Sequence, residues 1–367
     1  MKQPGEPLYP DDQVPEPQHN GRGALSNASS RYDDERKIRT TDGWDIEDEL
    51  PPLRTTLTKD ATRTILARNT SPDVPFDRSI NAYRGCEHGC IYCFARPTHA
   101  YHDLSPGLDF ETKLFAKPDA ARLLRATLAK PGYRPAPIAM GTNTDPYQPI
   151  ESRYRITRQV LEVCLETRHP VTITTKSDRV LRDIDLLAEM ARHRLVAVGI
   201  SVTSLDPRLS GLLEPRAAAP MKRLAALGRL AAAGVPAHVS IAPIIPSITD
   251  EFMEGILSRA AALGIRSASW IVLRLPHEVA PLFREWLQTH YPERAGKVMS
   301  IVQSIRGGKD YDSEWFTRMK PQGVWADLFR TRFRLACKRL GMNGTKMGGL
   351  DASGFRRPSA DGQLTLL

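Results

Sequence analysis

Long apolar runs are missing from this chain of 367 residues. No stretch of about 18 consecutive apolar residues exists to span a bilayer, and the opening Met1-Lys2-Gln3-Pro4-Gly5-Glu6 lacks the apolar segment of a secretion signal. A cytoplasmic protein is the expectation. Cysteine is scarce too: five residues, an odd number, exclude a disulfide framework for a chain of this size. Three of the five, Cys86, Cys90 and Cys93, nevertheless fall within eight residues of one another, and that clustering favours metal binding. No repeat recurs at a fixed period, which excludes solenoids and propellers.

Positive charge is sparse in residues 1–50, with 6 Lys or Arg against 12 Asp or Glu, whereas the remainder holds 45 against 30 and carries +15. The leading stretch is also rich in Pro, Gly, Asn and Ser and shows no apolar period, so it buries too little surface to offset the entropy of ordering. Residues 1–55 are therefore expected to be a disordered acidic leader. A basic body suits a phosphate-rich partner such as nucleic acid, and suits equally a solvated surface.

From about Ser79 the pattern becomes short β-branched or apolar runs, each followed by a helix-period segment, which is the signature of parallel strands with crossover helices. Six strands are expected, at 80–83, 137–141, 171–176, 196–203, 237–245 and 268–274, and their near-continuous apolar character suits a buried parallel sheet. Helices are expected at 119–128, 157–166, 183–193, 221–233 and 250–263, with Leu224, Leu227 and Leu230 keeping the helix period. Six units fall short of the eight of a closed barrel. The fold class is therefore α/β, a partial (β/α)6 TIM-like barrel over residues 56–290 whose functional loops follow the strand C-terminal ends. Residues 291–367 form a C-terminal helical extension expected to cover the barrel.

The string Tyr83-Arg84-Gly85-Cys86-Glu87-His88-Gly89-Cys90-Ile91-Tyr92-Cys93-Phe94 lets three thiolates converge from one loop after the first strand. Soft thiolates select zinc or iron–sulfur clusters. Structural zinc wants a fourth ligand; Cys164 and Cys337 sit in apolar, helix-like segments, so His88 is the candidate, and the protein would then be a zinc-containing nucleic-acid-binding module. With a 4Fe-4S cluster, three cysteines leave one iron without a protein ligand, open to a substrate or cofactor.

The Cys-x3-Cys-x-aromatic-Cys pattern, with Tyr92 as the aromatic, is similar to the motif of the radical S-adenosylmethionine (SAM) superfamily. The resemblance implies a 4Fe-4S cluster on Cys86, Cys90 and Cys93 and SAM bound at the open iron beside Tyr92. It also implies cleavage of SAM to methionine and a 5′-deoxyadenosyl radical, with electrons from a donor such as flavodoxin or ferredoxin. The cofactor carries that reactivity, and the protein holds it, excludes water and presents a substrate hydrogen.

Further cofactor-binding residues follow from the same resemblance. Thr144 and Asp145 lie in the loop 141–151, where the superfamily holds the methionine amino end; a Pro-rich turn with bonds from Asn143 and Asp145 to their own backbone is the other reading of this loop. Lys176 ends the third strand, where a carboxylate-binding cation is implied. Ser201 and Thr203 alternate onto one face of the fourth strand, toward ribose or carboxylate. Arg216 is a second carboxylate clamp oriented by Glu214, or a plain surface ion pair. Ile245, in Ala242-Pro243-Ile244-Ile245-Pro246, belongs to a stretch similar to the one that lies along adenine.

Over residues 70–275 the chain looks most like the spore photoproduct lyase-related branch. True photoproduct lyases carry a hydrogen-donor cysteine in the loop after the second strand, and Gly141-Thr142-Asn143-Thr144-Asp145 has none, which argues against thymine-dimer repair. The expected substrate is nucleic acid or another anion, with a peptide or metabolite as the alternative. In the extension, Trp315, Phe316, Trp325, Phe329 and Phe333 interleave with Arg318, Lys320, Arg330, Arg332, Arg334, Lys338 and Arg339, a mixture suited to stacking and phosphate contacts. Trp325, Phe329, Phe333, Ala336 and Leu340 share one helical face, so an amphipathic lid closing the barrel is the stronger expectation.

Overall fold

The computed structural model describes residues 21–33, 53–344 and 348–358. In chain order its strands are β1 (Thr56–Lys59), β2 (Leu66–Arg68), β3 (Arg78–Ile80), β4 (Tyr83–Arg84), β5 (Lys113–Ala116), β6 (Ile138–Met140), β7 (Val171–Thr175), β8 (Val196–Ser201), β9 (Ala237–Ile244) and β10 (Ser267–Val272). The helices are α1 (Asp109–Thr112), α2 (Ala120–Leu128), α3 (Glu151–Tyr154), α4 (Ile156–Glu166), α5 (Ile184–Arg192), α6 (Pro207–Leu213), α7 (Pro220–Ala232), α8 (Met253–Ala262), α9 (Val279–His290), α10 (Pro292–Ser304) and α11 (Val324–Arg339).

A seven-stranded sheet runs in the order β10-β9-β8-β7-β6-β3-β2. Within it β3, β6, β7, β8, β9 and β10 are parallel, and β2 is antiparallel on the outer edge of β3. Parallel neighbours need crossover connections, which the intervening helices supply. Val196, Val198 and Ile200 of β8 and Val239 and Ile241 of β9 are fully buried, as strands covered by helices must be. Leu224, Leu227 and Leu230 turn the buried face of α7 inward. The architecture is mixed α/β built on parallel strands, as expected. Gly141 ends β6 with φ +89°, and a Cβ there would stand 2.0 Å from the Thr174 carbonyl oxygen, so the second and third strand ends approach as closely as backbone allows.

Three features depart from expectation. The first predicted strand divides: Arg78–Ile80 joins the large sheet, while Tyr83–Arg84 pairs antiparallel with β5 in a small sheet of order β1-β5-β4. Within the stretch expected as a disordered leader, residues 21–33 are placed and pack against the core, with Ala24 and Leu25 buried. They need no periodicity because a buried carboxylate, Glu111, accepts the Gly23 and Ala24 N–H groups at 3.0 and 2.9 Å. Residues 1–20 and 34–52 of that leader lie outside the described residues.

The amphipathic face of α11 exists, with Phe329 and Ala336 buried, but it packs against α8, and Trp270 of β10 meets Phe333 with ring centres 6.3 Å apart. Asn343, just beyond α11, bonds both backbone groups of Ala268, near the N-terminal end of β10. The helix thus runs along the flank formed by β10 and α8, and none of its residues lines the cavity at the strand C-terminal ends, where a lid was expected. Two of its arginines are paired: Arg332 with Glu254 and Arg330 with Asp327.

Candidate functional site

The cysteine loop leaves β4 through Gly85, whose φ of +75° and contact with Phe110 and Leu114 leave no room for a side chain. Its backbone is fastened from below by Arg96, fully buried, whose guanidinium donates to the carbonyls of Cys90 (2.9 Å), Gly89 (3.2 Å), Pro106 (3.1 Å) and Gly107 (2.9 Å) and to Glu111 (2.5 Å). Glu111 in turn holds residues 23 and 24, so the leading segment is strapped across the back of the loop. The three thiols face a single cavity at the C-terminal ends of the parallel strands. Burial pushes all three thiol pKa values up, reinforced by Asp145 at Cys86 and by Glu214 at Cys90, so ligation would have to expel their protons.

That donor set fits an iron–sulfur cluster better than a single ion. Among the described residues no three His, Cys, Asp or Glu are grouped as one metal ion needs, whereas a cluster spreads its thiolates around a larger body. His88, the candidate fourth zinc ligand, is buried and turned to Asp145, with Nδ1 3.3 Å from Oδ2.

Asp145 is saturated. Oδ1 accepts from Tyr147 N (2.8 Å), which is the turn bond anticipated for such a residue, and from the Thr175 hydroxyl (2.7 Å). Oδ2 accepts from Lys176 N at 2.8 Å. Burial would raise its pKa, but His88, Thr175 and Lys176 N–H outweigh that and hold the carboxyl below its usual range. Thr144 donates its hydroxyl to the Gly85 carbonyl at 2.6 Å, and the fully buried Gln148 clamps both Thr144 and the cysteine loop, accepting from Glu87 N at 2.8 Å.

Tyr92 is fixed from beneath by a buried ionic cluster. Its hydroxyl donates to Glu214, which is paired with the equally buried Arg223 and accepts from the Thr203 hydroxyl at 2.7 Å. Burial alone would raise the Glu214 pKa; Arg223 and Lys176 overcome it and hold the group at about 2. Lys176 extends over the Tyr92 ring, its Nζ 5.8 Å from the ring centre, 3.2 Å from the Ala242 carbonyl and 4.0 Å from Glu214.

Cys86, Cys90, Cys93, Tyr92, Thr144, Asp145, Lys176 and Ser201 therefore share one cavity. Three candidates do not reach it. Thr203 is buried behind Tyr92. Arg216 points away, pairing with Glu87 at 2.9 Å, while Glu214 takes Arg223 in its place. Ile245 is wholly within the core, where its N–H donates to Thr249; Ala242 and Pro243 of the same stretch line the cavity. Ser240, Asn143 and Arg274 line it too and were not anticipated. Alternation along β9 puts Ser240 on the face of Ala242, a signal available in the sequence; nothing local marks Arg274.

Residues 80–260 match the family model described as "Radical SAM superfamily". An uncharacterized protein of Mycobacterium tuberculosis is 39% identical over 232 residues, which is 63% of this chain and 68% of that one. An uncharacterized protein of Methanocaldococcus jannaschii is 29% identical over 246 residues, 67% of this chain and 86% of that one. Among solved structures, spore photoproduct lyase complexed with dinucleoside spore photoproduct superimposes with a TM-score of 0.56 at 16% identity, covering 78% of this chain and 80% of that one, a likeness of fold. Membership of the matched family implies an iron–sulfur cluster and SAM, and the three-thiol loop supplies ligands suited to the first. The chain belongs to the radical SAM superfamily and is a radical SAM enzyme.

Proposed function

We propose that Cys86, Cys90 and Cys93 hold a site-differentiated 4Fe-4S cluster at the mouth of a partial (β/α)6 barrel, that SAM occupies the adjoining cavity, and that the substrate is nucleic acid. The observation that carries the reading is the meeting in one cavity of three loop thiols with Lys176, Ser201 and the Thr144–Asp145 loop. When bound, the cluster and SAM supply reductive cleavage of a carbon–sulfur bond, giving methionine and a 5′-deoxyadenosyl radical. Lys176 offers its ammonium to the methionine carboxylate, and Glu214 keeps that cation near the Tyr92 ring. Ser201 offers a hydroxyl to the ribose. Thr144 and Asp145 act through the backbone: they tie the loop after β6 to the cysteine loop and to β7, so the cavity walls stay in register. Ala242 and Pro243 provide the apolar wall for adenine.

Anaerobically reconstituted, dithionite-reduced protein should release 5′-deoxyadenosine from SAM, and Cys90→Ala should abolish the release. Iron-loaded protein that releases none would contradict the reading. The +15 charge of residues 51–367 supports the nucleic-acid substrate, and binding that weakens steeply with salt is the expected signature.

A further inference from the structure

Arg274 follows β10 and lines the same cavity as the three cysteines. A guanidinium carries five N–H donors, yet among the described residues this one donates to a weak acceptor, the Met319 sulfur at 3.2 Å, and pairs with no carboxylate. Its remaining support is the Phe94 ring, whose centre lies 4.7 Å from the guanidinium carbon. Nearby, Arg306 is buried, donates to the carbonyls of Leu273, Thr317 and Arg318, and leaves Nε without a partner. Arg318, beside them, does meet a carboxylate, pairing with Asp73 at 2.6 Å. Burial works against the charge of both Arg274 and Arg306; Arg318 further disfavours that of Arg274 and Arg274 that of Arg306, while Tyr311 with Asp73 favours Arg274 and Tyr311 with Asp312 favours Arg306 without reversing the effect of burial.

A guanidinium that lines a cavity with no carboxylate in direct contact is costly unless an anion completes it. A phosphate matches the forked donors of Arg274 in geometry and charge. Aromatic faces stand alongside: Phe94 is 47% exposed, and Trp315 and Phe316 are 55% and 49% exposed on the segment that presents Met319. Cations interleaved with open rings are the chemistry of single-strand recognition, in which bases stack while phosphates are neutralised.

We infer that Arg274, backed by Arg306, binds a backbone phosphate of a single-stranded nucleic-acid substrate, with Phe94, Trp315 and Phe316 offering ring faces to its bases. The inference rests on reading the cavity as the SAM-dependent active site, and it can fail independently of that reading. The test uses the reconstituted full chain and a short, fluorescein-labelled single-stranded oligonucleotide followed by anisotropy, in one version with phosphodiester linkages and in another with neutral methylphosphonates. Arg274→Gln should weaken the phosphodiester strand about ten-fold and lower the slope of log affinity against log salt by about 1. It should leave the methylphosphonate strand within about two-fold, and Arg274→Lys should fall between.

Equal binding of the two strands by the wild type, or unchanged phosphodiester affinity in Arg274→Gln, would overturn the inference. A loss that appears in SAM affinity instead, or an acidic peptide competing as well as the strand, would overturn it also. Should Arg274→Gln lose its iron or its circular dichroism, Phe94→Leu and Arg274→Lys carry the test: Phe94→Leu is expected to weaken both strands several-fold, and parity of both variants with the wild type would sink the idea. Release of 5′-deoxyadenosine by the wild type is measured apart, so failure of the cofactor reading and failure of the phosphate site give different results.

Discussion

Glu214 is walled off from water and meets Arg223, Thr203, Tyr92 and Lys176 within one buried cluster. Removing one partner of such a pair strands the other charge in a low-dielectric interior, so Glu214→Gln should lower unfolding free energy by about 3–5 kcal/mol in denaturant titration. A loss under about 1 kcal/mol would mean that Arg223 finds water or another acceptor. At this scale legibility divided along chemical lines. The cysteine spacing was readable because ligand geometry is local, and Lys176 because a strand end is local. Glu214 was read as a partner of Arg216, its neighbour in the chain, whereas α7 delivers Arg223 from nine residues further on. Thr203 and Ile245 sat on the expected strands; what the spacing could not give was how far the cavity extends along each strand.

Elements set the loop in place through contacts distant in sequence. Residues 21–33 are tied to α1 by Glu111, to the residue that precedes α9 by Arg31 with Glu278 at 2.9 Å, and to the cysteine loop by near contact of Gly23 with Gly89. A Cβ on Gly23 would fall 1.7 Å from the Gly89 carbonyl oxygen, so Gly23→Ala must lift the strap or shift the loop. A destabilisation of roughly 1–3 kcal/mol is expected, together with faster tryptic cleavage at Arg22 and Arg31; unaltered cleavage would show that the strap tolerates the methyl group. The parallel strands β6 to β10 and the crossover helices between them were legible from apolar period alone. This strap was not, because its order comes from side-chain and backbone hydrogen bonds to a carboxylate nearly ninety residues away. The amphipathic face of α11 was equally clear, but periodicity says which face is buried and not what buries it.

At the scale of the whole molecule, three imidazoles among the described residues are kept from taking up a proton by their surroundings. His99, His169 and His238 all have pKa values lowered to about 4, chiefly by burial. In the unfolded chain they titrate near 6.5, so between about pH 6.5 and 4 the unfolded state binds more protons than the folded one. Their contribution to stability is present above the unfolded value and is lost as pH falls through that window. Urea midpoints should therefore drop between pH 7 and pH 5 by the equivalent of a few kcal/mol. His238→Gln, which keeps an amide between Ser267 and Ser269, should show a shallower dependence; the same slope as the wild type would exclude His238 as a contributor. No helix among the described residues is long and apolar enough to cross a membrane, in keeping with the absence of long apolar runs from the sequence.

The central claim is that the three-cysteine loop leaves one iron open for SAM. Electron paramagnetic resonance of the anaerobically reduced, reconstituted protein, recorded with and without SAM, tests this most directly. A cluster signal whose g-values shift on adding SAM is the predicted result, with no such signal in Cys90→Ala. A reduced cluster whose spectrum is identical with and without saturating SAM would contradict the account.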